Sequence, residues 1–104
     1  MNRRLIIRQE AEADLTDAAT WYDNQERGLG LELLAEVHSA IARALKSPES
    51  FTRVRRDPPV RRILSRRFPY RIFFIVRPDA MIVFAVLHAA RHDRVWKYRA
   101  KQEW

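Results

Sequence analysis

Arginine dominates the chemistry that this chain offers. Of its twenty cationic residues seventeen are arginine, and eight of those fall between Arg53 and Arg71, among them the adjacent Arg61 and Arg62. A planar guanidinium grips carboxylate or phosphate through paired hydrogen bonds, so this clustering points to recognition of an anion rather than to solubility alone. A second basic group, Arg91, Arg94, Lys97 and Arg99, surrounds Trp96. That indole has three uses: stacking on a base, anchoring a protein interface, or packing in a core. His88 closes an apolar run, where it serves either as a proton shuttle near neutrality or as a hydrogen-bonding cap on a sheet edge. The histidines His38, His88 and His92 stand at no paired ligand spacing and cysteine is absent. We therefore expect no metal site, no disulfide and no cofactor.

The charge is unevenly spread. Residues 1–50 hold six basic and nine acidic residues, a net −3, whereas residues 51–104 hold fourteen basic and four acidic, a net +10. Nucleic acid and an acidic protein use the same electrostatics, and both stay open as partners. With 104 residues, 47% of them hydrophobic, the chain is too apolar for disorder and of a size for one domain. No apolar run approaches the roughly 18 residues of a membrane span. Arg3 and Arg4 precede only Leu5, Ile6 and Ile7, too short a core for a signal peptide. We expect no membrane association and a cytoplasmic location.

The elements that must position these residues are marked by period. Arg4 to Arg8 reads as a short strand, and Ala11, Leu15, Ala18 and Tyr22 as the stripe of an amphipathic helix with early acids. Gly28 and Gly30 break it. A second helix from about Leu29 to Leu45 carries Leu34, Val37, Ile41 and Leu45 and stops before Pro48. The short gap predicts an antiparallel hairpin. After an irregular stretch from Phe51 to Pro59, three β segments are expected, at Val60 to Ser65, Tyr70 to Val76 and Met81 to Leu87, with a turn at Pro78 and Asp79. The last is apolar throughout, hence buried on both faces and central. The tail from Ala89 to Trp104 is left without an assigned element. The order βααβββ predicts an α+β two-layer sandwich, the helical hairpin packed on a mostly antiparallel sheet.

These residues, taken in order, resemble a known family. Leu15 with Trp21 and Tyr22, the Gly28-Leu29-Gly30 turn, Val60-Arg61-Arg62, Phe68-Pro69-Tyr70-Arg71-Ile72, Val86-Leu87-His88, and Arg91 with Trp96 and Arg99 are similar to the ParE/RelE superfamily of type II toxins, across nearly the whole chain. The resemblance implies one toxin domain over residues 1–104 and a cognate antitoxin whose C-terminal segment wraps it. A homodimer or a toxin–antitoxin hetero-oligomer is the implied assembly. Its RelE-like branch cleaves mRNA in the ribosomal A site, and its ParE-like branch, which includes plasmid stabilisation proteins, poisons DNA gyrase.

Arg71 and Arg91 stand where the ribonuclease branch places two basic residues. Cleavage through an attacking 2′-OH also needs a proton acceptor and a donor for the leaving oxygen. Where that branch usually ends in a tyrosine this chain has Trp96, whose indole N–H donates but cannot act as a base. Tyr98 is a displaced substitute if the tail is extended. These departures favour the ParE-like reading, a gyrase inhibitor with no catalytic site, in which Arg61, Arg62, Arg71, Arg91, Trp96 and Arg99 bind the target. One alternative is a metal-independent, ribosome-dependent mRNA endoribonuclease using Arg71, Arg91 and Tyr98. Another is a non-toxic co-regulator that only binds an antitoxin-like repressor. Arg61 and Arg62 cannot both face the core, and the inward one pairs with Glu32 or Glu36 or meets a ligand. Trp21 and Tyr22 either pack the hairpin or form a recognition platform. Removal of residues 94–104 is expected to leave folding and antitoxin binding largely intact while reducing toxicity.

Overall fold

β1 (Arg4–Ile7) feeds through Arg8 into α1 (Gln9–Gln25), which turns back into α2 (Leu29–Lys46). The computed structural model describes residues 3–102, so the last two residues of the tail lie outside the described residues. A single 3-10 turn at Pro48–Ser50 then leads to β2 (Thr52–Arg55), β3 (Val60–Leu64), β4 (Tyr70–Val76) and β5 (Ala80–His88), and the tail forms α3 (Arg94–Ala100). The strands lie in the order β1-β5-β4-β3-β2. β1 runs parallel to β5 and every other neighbour is antiparallel. This is the expected α+β sandwich, with an additional strand at one edge and an additional helix at the other end of the chain. β5 sits between β1 and β4, which explains why all of it but His88 is buried.

The helical hairpin covers one face of the sheet. Ala11, Leu15 and Ala18 of α1 are buried with Leu33, Val37 and Ile41 of α2 against Ile72, Phe74 and Met81. The buried stripe of α2 is rotated from the expected one, because Ala40 and Ala44 lie innermost while Leu34 and Leu45 are only partly buried. Small residues bring this helix close to the sheet. The opposite face holds a second core of Phe73, Ile75, Phe84 and Leu87, closed by Trp96 and Ala100 of α3.

The hairpin turn depends on its two glycines. Gly28 has φ +93°, a left-handed conformation that other residues rarely adopt, and it precedes the first turn of α2. Gly30 is tied across the hairpin: its N–H donates to Asp23 Oδ1 at 2.8 Å, satisfying one of the donors that a helix start leaves open. A Cβ added there would lie 2.5 Å from the Ala19 carbonyl oxygen, so the two helices would have to part. Gly30→Ala is expected to cost about 1–3 kcal/mol through overpacking. The urea midpoint should fall with an unchanged slope; an unshifted midpoint would mean that the helices separate freely.

Candidate functional site

The expected site residues fall into three groups. The first joins both ends of the chain. β1 ends at Ile7, where the N–H of Arg8 donates to Val83 O, and beyond that point β5 has no strand on this side. Two side chains complete the edge. Asp14 Oδ2 accepts from the Val86 N–H at 2.9 Å, and Arg99 Nη1 donates to Phe84 O at 3.2 Å. The two also bind each other, Arg99 Nη1 to Asp14 Oδ2 at 2.6 Å and Nη2 to Oδ1 at 3.1 Å. With side chains only 15% and 9% exposed, this pair links α3, α1 and β5 from the inside. Arg99, expected to bind a target, is therefore a fastening between elements.

The second group is built on Arg71. Its guanidinium donates to the Asp93 carboxylate, to Arg91 O at 2.6 Å and to His88 O at 3.5 Å. The segment from His88 to Asp93 is wrapped around this one side chain, which is 12% exposed. The hydrogen bond from Arg71 holds the Asp93 carboxyl below its ordinary value of 3.8. Arg91 itself is exposed at the tip of this segment. His88 Nδ1 accepts from the Ala90 N–H at 3.0 Å, a local bond in the turn after β5. In the same way His92 Nδ1 accepts from the Arg94 N–H at the start of α3.

The third group lies at the β2–β3 end. Arg61 donates to Phe51 O at 2.7 Å and Glu49 O at 3.4 Å, not to Glu32 or Glu36. Glu32 pairs with Arg67 at 2.6 Å, and Glu36 accepts from the Ser65 hydroxyl and the Phe68 N–H. Arg62 pairs across the sheet with Phe73, so it is half-buried on the α3 side.

The tail departs most from expectation. Because it is helical, Trp96 and Tyr98 point to different sides. Trp96 is 4% exposed and stacks on Phe73 with ring centroids 4.8 Å apart, so its packing use is the one realised and its ring is not on the surface to meet a target. Tyr98 is 68% exposed. It lines a depression of about 540 Å³ with Glu10, Arg94 and Val95, whereas Arg91 lines a different hollow between α1 and the end of β5. Arg71 and Arg91 are in contact through the Arg91 carbonyl, and Tyr98 lines a different hollow from the one that Arg91 lines.

Asp14 and Asp93, the two acids that organise these groups, are absent from the expected site. Asp14 reads in the sequence as one more early helix acid and Asp93 as a loop residue; only the tertiary fold shows what each holds. Among the described residues no three His, Asp or Glu side chains converge to hold a metal ion.

Comparison with known proteins follows the same lines. Residues 5–93 match the family model for the ParE toxin of type II toxin-antitoxin system, parDE. A solved chain of the chromosomal ParDE TA system from P. aeruginosa is similar in fold, with a TM-score of 0.74 at 17% identity, covering 83% of this chain and 95% of that one. No curated protein matches.

Proposed function

Because the chain belongs to the ParE toxin family of type II toxin–antitoxin systems, we propose that it is the toxin of such a pair, acting in the cytoplasm by binding and inhibiting DNA gyrase and silenced by a cognate antitoxin. What supports inhibition rather than catalysis is how the candidate catalytic groups are engaged. The guanidinium of Arg71 is engaged by Asp93 and two carbonyl oxygens. Tyr98 lines another depression from the one that Arg91 lines. Phosphoryl transfer needs its base, its cations and its acid within reach of one phosphate. Target contact then falls to the exposed guanidinium of Arg91, with the half-buried Arg62 a second candidate on the α3 side of the sheet.

The antitoxin has its own physical basis. A half-chain of net +10 repels itself, and an acidic, otherwise disordered segment that folds along it relieves that repulsion. Anything that binds only the folded state stabilises it, by about 2.7 kcal/mol at a hundred times the dissociation constant.

The test is pulse labelling of DNA and protein synthesis in bacteria during the first minutes after induction of this chain without antitoxin. DNA synthesis is expected to fall first. An earlier fall in protein synthesis would overturn the gyrase reading in favour of a ribosome-dependent nuclease. Undisturbed growth would leave the co-regulator.

A further inference from the structure

The turn of α1 that carries Trp21 and Tyr22 has more aromatic surface than the core uses. Tyr22 meets Phe68 edge-on at 5.0 Å and lies 6.3 Å from Tyr70, so it belongs to helix–sheet packing. Trp21 stands edge-on to Tyr22 at 4.9 Å, and 56% of it remains in solvent. Tyr70 in turn meets His88 edge-on at 5.5 Å. Burial, and then the neighbouring Tyr22, push the Tyr70 phenol above its ordinary range, so it stays neutral. Edge-to-face contacts leave ring faces open. The four rings line a hollow of about 240 Å³, which adjoins one of about 220 Å³ that shares Trp21, Tyr70 and His88 and is rimmed by Asp14, Asp17 and Arg91.

The hollow lacks the excess positive charge of the chain. The protein carries +7 overall, yet two carboxylates and one guanidinium line this place. Asp14 is neutralised by Arg99. Asp17 lies four residues before Trp21, on the same face of α1. Among the described residues it has no ion pair or side-chain hydrogen bond. Arg67 sits over Phe68, Arg71 over Phe73 and Lys97 over Trp96, all away from this hollow. An open indole face next to an unpaired carboxylate attracts a cation through both the ring quadrupole and the charge.

We infer that this hollow docks an arginine or lysine side chain of a partner protein, with the cation held between the face of Trp21 and the carboxylate of Asp17. Arg91, which lines the same hollow, takes a carboxylate, so the preferred segment carries a basic and an acidic residue close together. The volume suits one long side chain rather than a folded element. A nucleotide would set its base on Trp21 and its phosphate near Arg91, but it would bring that charge against Asp17. The inference is independent of whether gyrase or the ribosome is the target.

The probe is a capped Gly-Arg-Asp-Gly peptide titrated into the isotopically labelled full chain. The same peptide with citrulline for arginine, and guanosine monophosphate, serve as comparisons. Saturable shifts are expected at the Trp21 indole and the Tyr70 and His88 rings. Binding should weaken about fivefold with citrulline, in Asp17→Asn and in Trp21→Ala, the last read at Tyr70 and His88. Both substituted side chains are exposed, so the fold survives. Equal binding by the citrulline peptide, an unaffected Asp17→Asn, occupancy by the nucleotide in place of the peptide, or no saturable shift would each overturn the assignment.

Discussion

Arg99→Ala is expected to destabilise the fold by about 3–5 kcal/mol, because it strands the carboxylate of Asp14 in a largely dry site. That carboxylate keeps its bond from the Val86 N–H, but the hydrogen bond from Arg99 to Phe84 O is lost with the side chain. A chain of this length has roughly 5–15 kcal/mol of stability in total, so the loss is a large share of it. Arg99→Lys should recover only part of the loss, since one ammonium cannot reproduce the two parallel contacts that the guanidinium makes. The double variant Asp14→Ala, Arg99→Ala should cost less than the sum of the two single ones, because each single change leaves one buried charge behind. Urea titrations of the wild type, the three single variants and the double variant decide it. A loss under about 1 kcal/mol for Arg99→Ala would place the pair with ordinary surface ion pairs.

The same geometry overturns the expectation that residues 94–104 are dispensable for folding. Their removal takes away Trp96, Ala100 and Arg99 together, opening the second core and orphaning Asp14. Loss of toxicity on truncation would then report unfolding. Tyr98 and Arg94, exposed on α3, are the positions at which that surface can be altered without dismantling the core.

How much of this could be read in advance differs by element. The stripe Ala11, Leu15, Ala18 and the unbroken apolar run of β5 were legible, because burial imposes a period on a helix and removes it from a fully covered strand. β2 was not. In Thr52–Arg55 only Val54 is apolar, and the strand exists through its backbone ladder to β3, which leaves no hydropathy signal. α3 was missed for a related reason: seven residues with only Trp96 and Ala100 buried are too few to show a period. At the site, arginine content was visible but arginine use was not. Arg71, Arg91 and Arg99 look alike in the sequence, and only their acceptors separate a strut, an exposed cation and a fastening. Those acceptors include main-chain oxygens of residues 84, 88 and 91, which no side-chain motif records.

Arg71 separates a positioning role from a contact role. Arg71→Ala removes the donor to Asp93 and to two carbonyl oxygens, and is expected to cost about 1.5–3 kcal/mol, the range for hydrogen bonds from a charged group. Amide exchange should rise across residues 88–93, and toxicity should fall because Arg91 is no longer held in place. Arg91→Ala should instead lose toxicity at unchanged stability, since its side chain is exposed. Acid titration gives an independent reading. The folded Asp93 carboxyl is held below 3.8 by Arg71, so its contribution is complete above the unfolded value and is lost as the pH falls through the lowered folded value. The stability gap between wild type and Arg71→Ala should therefore be constant near neutrality and narrow from about pH 4 downward. A gap that stays constant through that window would detach Asp93 from Arg71. Wild-type exchange at residues 88–93 in Arg71→Ala would remove the strut altogether and return its guanidinium to the list of direct contacts.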